Sequence, residues 1–108
     1  MKKFHISLGV ESIEVTVHDY TQRLGQPPDL VVPGEYALWR TAHLNFSVRK
    51  SDAVSSGKLR HLGWETNDAN SFTSDTDCNG ILWERFSAEI QAREIEELWP
   101  CTGKPTLS

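Results

Sequence analysis

Cysteine is scarce in this 108-residue chain: only Cys78 and Cys101 are present. Two thiols are too few for a disulfide scaffold, and their spacing matches no zinc knuckle, so both are expected as free thiols. Clustered cations are also missing. Beyond Lys2-Lys3 there is no Lys/Arg run, and the formal net charge is -4. Binding to a phosphate backbone depends on such clusters, which makes nucleic acid a poor partner. No stretch approaches the roughly 18 apolar residues of a spanning helix, so no membrane partner is expected. The opening Lys2-Lys3-Phe4-His5-Ile6-Ser7-Leu8-Gly9-Val10-Glu11 is broken by His5 and Glu11, unlike an apolar signal core, and a cytoplasmic location is the expectation. There is no glycine-rich phosphate loop and no Ser-His-Asp order.

What is present is an ordinary globular composition, 38% hydrophobic and 24% charged, which with this length leaves room for one domain over 1–108 and no second. Phe4, Ile6, Leu8 and Val10 alternate with His5, Ser7 and Gly9, the period-2 pattern of a strand with one apolar face. His5 therefore points away from the apolar row. Ser12 is placed to cap a helix in which Ile13, Val17, Tyr20 and Leu24 form one stripe, stopped by Gly25 and Pro27-Pro28. Three short strands follow: Leu30-Val31-Val32, Tyr36 to Arg40 and His43 to Arg49, separated by turn signals at Pro33-Gly34 and after Arg40.

The second half is thinner. Leu59 to Glu65 reads as a strand that echoes the first, since each carries a histidine shortly before Leu-Gly. Asn67 to Gly80 is almost all Ser, Thr, Asn and Asp and reads as loop. Gly80 to Phe86 is a strand, and Ser87 caps a helix to Trp99 with Ala88, Ala92, Ile95 and Trp99 on one face and Glu89/Arg93 as an i,i+4 pair.

His5 and His61 on like-patterned strands and Glu84 on a late strand form the one constellation with chemical logic. Two neutral imidazoles and a carboxylate make a facial triad that leaves positions on Fe²⁺, Mn²⁺, Ni²⁺ or Zn²⁺ open for a chelating ligand. The plain alternative is a pair of surface histidines with Glu84 paired to Arg60 or Arg85. His18 lies off the helix stripe and His43 follows a turn, so both are expected in solvent. Trp39, Trp64 and Trp83 suit either a cup for a planar ligand or packing, and Trp64 and Trp83 lie on the faces opposite His61 and Glu84.

The β-α-β-β-β order, the helix ending Tyr20-Thr21-Gln22-Arg23-Leu24-Gly25, the stretch Arg60 to Trp64 and the turn Asp75 to Gly80 leading into Trp83-Glu84 resemble the vicinal oxygen chelate superfamily of glyoxalases, bleomycin-resistance proteins and extradiol dioxygenases. The nearest flavour is its cadmium-induced and organoarsenical-lyase-like branch. The resemblance implies an α+β fold: one βαβββ module over 1–50 and a reduced second module over 59–108, forming a curled mixed sheet with outer helices. It implies metal ligation by His5, His61 and Glu84, with Glu84 also the candidate catalytic carboxylate. Asn45 stands where some members place a fourth ligand, which points to three protein ligands. The activity implied is that of a metal-dependent lyase or dioxygenase on a small oxygen-chelating molecule, the alternative being a non-catalytic binding or resistance module without metal.

One departure matters. Only 22 residues, Leu62 to Trp83, separate His61 from Glu84, too few for a crossover helix and two more strands, so the second module is expected to keep only its first and last strands. The acid/base groups of the missing strands and the family's paired-cysteine arsenical site are absent with them. Uncovered edges and apolar surface make a homodimer the natural remedy.

Overall fold

The structure is a computed structural model and describes residues 2–100. Cys101 lies outside the described residues; Cys78 is a free, exposed thiol. Seven strands and two helices run in the order β1 (Lys2–Val10), α1 (Ile13–Leu24), β2 (Leu30–Val32), β3 (Tyr36–Arg40), β4 (Leu44–Lys50), β5 (Leu59–Thr66), β6 (Thr73–Thr76), β7 (Leu82–Phe86) and α2 (Ala88–Leu98). This is a small α+β fold. Among the described residues, no helix is long and apolar enough to cross a membrane.

All seven strands belong to one mixed, unclosed sheet in the order β2-β3-β4-β1-β5-β7-β6. Two half-patterns meet at its centre, where β1 and β5 pair antiparallel with Phe4 opposite Trp64. On one side β1 runs parallel to β4, which is antiparallel to β3; on the other, β5 runs parallel to β7, which is antiparallel to β6. The second half thus retains three strands rather than two. The added one, β6, was expected to be loop. Every residue of Thr73–Thr76 is exposed, so neither face demands an apolar row, and the signal that marks a half-buried strand is missing.

α1 begins where Ser12 Oγ accepts from the Val15 amide at 3.2 Å, and ends at Gly25, whose φ of 79° is the left-handed geometry of a helix stop. Its stripe of Ile13, Val17, Tyr20 and Leu24 packs on Val10, Ala37, Trp39 and Val48. Trp39 is completely buried there and donates Nε1–H to the Gln26 carbonyl at 3.0 Å. Of the two roles open to it, packing is the one it fills.

α2 does not share that face. Ser87 Oγ caps it by accepting from the Ile90 amide at 3.2 Å, and its Ile95 packs on Val32, Tyr36 and Leu38. Because Tyr36 and Leu38 alternate along β3 with Ala37 and Trp39, the helices cover opposite faces of the sheet. The expectation of two outer helices is therefore corrected: α2 lies over the face that carries His5. The reason is in its sequence, where Gln91 joins Ile95 as a buried residue and so brings a polar group to a polar sheet face. The Glu89–Arg93 pair spans 3.9 Å in solvent and adds little.

Candidate metal centre

Strand parity gathers the polar side chains under α2. His5 and Ser7 on β1, Asn45 and Ser47 on β4, His61 and Glu65 on β5, and Glu84 on β7 share this face. Register adds the alignment: His5 sits opposite Asn45 on one flank and Gly63 on the other, and Gly63 sits opposite Glu84. His5 is only 3% exposed despite being the polar member of an alternating strand.

The three sequence-predicted ligands meet. His5 Nε2 and His61 Nε2 lie 2.9 Å apart, His61 Nε2 and Glu84 Oε1 lie 3.0 Å apart, and one ligand atom from each of the three falls within 4.8 Å of the others. The alternative pairing of Glu84 is not what forms: Arg85 bonds Asp68 at 2.8 Å, and Arg60 donates to Ser7 Oγ at 3.2 Å. His18 and His43 are exposed, as expected.

The tautomers follow from the neighbours. His5 Nδ1 faces two acceptors, the Asn45 carbonyl at 3.1 Å and Asn45 Oδ1 at 2.9 Å, so Nδ1 carries the proton and Nε2 the lone pair. His61 Nε2–H is then the donor shared between His5 Nε2 and Glu84 Oε1. Burial lowers the pKa of His5, with the Asn45 side-chain bond opposing and the charge of a protonated His61 assisting. The neutral form of the ring is the one favoured.

Asn45 stands beside the triad, not in it. Its amide holds His5 through Oδ1, while Nδ2 donates to Glu65 Oε1 and Gln91 Oε1, both at 2.8 Å. Glu65 in turn accepts from Arg40 Nε at 3.0 Å and Arg40 Nη2 at 2.7 Å. A buried relay thus runs Arg40, Glu65, Asn45, His5. The sequence reading missed Glu65, Arg40 and Gln91. Parity alone would have flagged Glu65, which shares the His61 face of β5.

Gly63 has a steric role. A Cβ there would run into the main chain of Glu84, so only glycine lets β7 lie this close. Gly63→Ala is expected to destabilise the fold by about 1–3 kcal/mol through overpacking and to displace Glu84 from the histidines. Thermal melting of the variant beside the parent checks the first part, and metal titration the second.

The triad opens into a cleft of about 90 Å³ between sheet and α2. Tyr36 lines it; its burial pushes the phenol up to about 12, hydrogen bonds with Ser47 and Gln91 only partly offsetting this, so it stays protonated. Glu94 of α2 also lines the cleft, and burial raises its pKa with help from the Glu84 charge.

No family model matches the chain, and no curated protein matches it. Among solved structures, the fold is similar to a chain described as an NAD-dependent benzaldehyde dehydrogenase from Legionella pneumophila. The TM-score is 0.55 and the identity 10%, and the match covers 78% of this chain and 97% of that one. At that identity the likeness concerns the fold alone.

Proposed function

We propose that His5, His61 and Glu84 bind one divalent metal ion and present it to a small oxygen-chelating ligand, in the manner of the vicinal oxygen chelate superfamily. The observation that carries this is the convergence of two imidazole nitrogens and one carboxylate oxygen from three strands far apart in sequence. Ligands bound at about 2.1 Å and at right angles to one another lie about 3.0 Å apart, which is the spacing of both contacts of His61 Nε2. The donor set suits Zn²⁺, Fe²⁺, Mn²⁺ or Ni²⁺. A second supporting feature is the Asn45 clamp on His5 Nδ1, the outer contact that fixes the tautomer of ligating histidines. The paired half-patterns of the sheet agree with the family's repeated modules, the second one shortened.

When bound, the ion supplies Lewis-acid polarisation of a ligand oxygen. The chain's own residues would hold it, keep His5 in one tautomer and limit solvent through α2 and Phe86, whose ring meets His5 edge-on at 4.9 Å. A lyase or dioxygenase activity is one form of this reading. The other is a non-catalytic binding or resistance module without metal; in either form the cleft volume of about 90 Å³, well below the roughly 300–1,000 Å³ typical of pockets for drug-sized ligands, points to a small ligand. Elemental analysis after loading and desalting should give close to one divalent ion per chain. A protein that takes up none while remaining folded would overturn the metal reading.

We also propose a homodimer. α1 covers β3 and β4, while the same face of β1, β5 and β7 presents Phe4, Trp64 and Trp83 in ring contact at 5.2 and 6.1 Å, with Trp64 exposed. This is the surface that a crossover helix in the second half would have covered. Light scattering at micromolar concentration is expected to read twice the 12.2 kDa chain mass, and Trp64→Glu to return it to the monomer.

A further inference from the structure

The register of β1 against β5 slips once, at the edge of the site. Ser7 pairs with His61 and Leu8 with Leu59, leaving Arg60 as the extra residue of a β-bulge. Strict alternation would send Arg60 to the face opposite His61. The bulge instead turns it inward, so that its guanidinium reaches Ser7 Oγ at 3.2 Å and lines the same cleft as the triad. Arg49 of β4 lines that cleft too, held with its guanidinium 5.3 Å from the Trp99 ring centroid. Neither arginine makes an ion pair among the described residues, although Glu94 and Glu84 border the same space.

Arg49 is half-buried and Arg60 keeps part of its side chain in solvent, so an anion could reach both. The two like charges repel each other across one small cleft, Glu84 and Glu94 offset this only at a distance, and an anion between them would relieve it. From these placements we infer that the cleft has a second pole: Arg49 and Arg60, with the hydroxyls of Ser7 and Ser47, form a subsite for a carboxylate or phosphoryl group on the ligand. Its position sets the ligand's size. Arg60 is fixed at the Ser7 level, two residues along β1 from His5, which is about 7 Å at about 3.3 Å per residue. The ligand class is therefore a compact molecule with chelating oxygens at one end and an anionic group two or three carbons away. The chelating half of this assignment rests on the metal reading; the anionic half rests on the arginines alone.

The test measures calorimetric binding of three α-hydroxy acids to Mn²⁺-loaded protein. 2-Hydroxyglutarate carries a distal carboxylate, 3-phosphoglycerate a distal phosphoryl group, and 2-hydroxybutanoate neither. At least one of the first two is expected to bind at least tenfold more tightly than the third, and the better of them identifies the anion. Arg60→Gln should abolish that preference with metal content unchanged, while Glu94→Gln, which removes a competing negative charge, should strengthen it severalfold. Equal affinity for all three acids, or a preference that survives Arg60→Gln, overturns the subsite. Succinate and inorganic phosphate titrated into metal-free protein separate the two readings: Arg60-dependent binding there upholds the anion subsite even if no metal is taken up, and binding that ignores Arg60→Gln counts against it.

Discussion

His61→Ala is expected to remove essentially all bound divalent metal while leaving a folded protein. His61 is the hinge of the triad, since its Nε2 touches both His5 Nε2 and Glu84 Oε1, whereas those two lie within 4.8 Å of each other without a hydrogen bond between them. Removing it leaves one imidazole and one carboxylate, too few to hold an ion against water. Outer contacts to metal ligands are typically worth about 10–100-fold in affinity, and a ligand itself should cost more. The fold is expected to tolerate the change, because His61 takes no part in the relay from Arg40 through Glu65 and Asn45 to His5. Asn45→Ala supplies the graded comparison: it should retain metal with an affinity lower by that same 10–100-fold, since His5 keeps its ring but loses the side-chain half of its clamp. Metal analysis with circular dichroism on parent and both variants checks the series. Full metal retention in His61→Ala would sink the proposed centre.

Much of the first half could be read from sequence because its signals are local. The α1 stripe, the Ser12 cap and the Gly25 stop each depend on neighbours within a few residues, and the three strands after it are fenced by turn residues. The triad was legible for a weaker reason: each ligand sits on a strand whose parity is clear, but only the family resemblance brought the three together, since nothing in the spacing of His5, His61 and Glu84 states that β1 lies beside β5 and β5 beside β7. Three features escaped. β6 is wet on both faces and carries no periodicity. The inward turn of Arg60 carries no sequence signal, because strict alternation would put it opposite His61 and a bulge is a one-residue exception that parity cannot express. The side of the sheet taken by α2 depends on Gln91 finding Asn45, a pairing across 46 positions that is invisible until both ends are placed. The polar residues of β1, β4 and β5 are buried because of that choice.

Glu65→Ala is expected to be the most destabilising substitution at the site, by about 3–5 kcal/mol, the range for removing one member of a buried ion pair. Glu65 and Arg40 have side chains only 5% and 10% exposed, and the carboxylate takes two guanidinium nitrogens and the Asn45 amide at once. The alanine variant deprives a buried cation of that carboxylate and the Asn45 amide of one acceptor, so Asn45 loses the contact that holds it against His5. Glu65→Gln should recover part of the loss through its remaining amide oxygen. The same contacts predict a pH dependence. Burial alone would raise the pKa of Glu65, but hydrogen bonds from Arg40 and Asn45, with the Arg40 charge, outweigh it and bring the net value below the ordinary 4.5. A carboxyl group with a lowered folded-state pKa contributes stability that is fully present above its unfolded value and is lost as pH falls through the folded one. Stability from this pair should therefore be flat between pH 6 and 8, begin to decline as the pH drops past 4.5, and decline less steeply in Glu65→Gln. Urea unfolding at stepped pH values measures it, and identical acid sensitivity in parent and Gln variant would show that the Arg40–Glu65 pair is not what stabilises this face of the sheet.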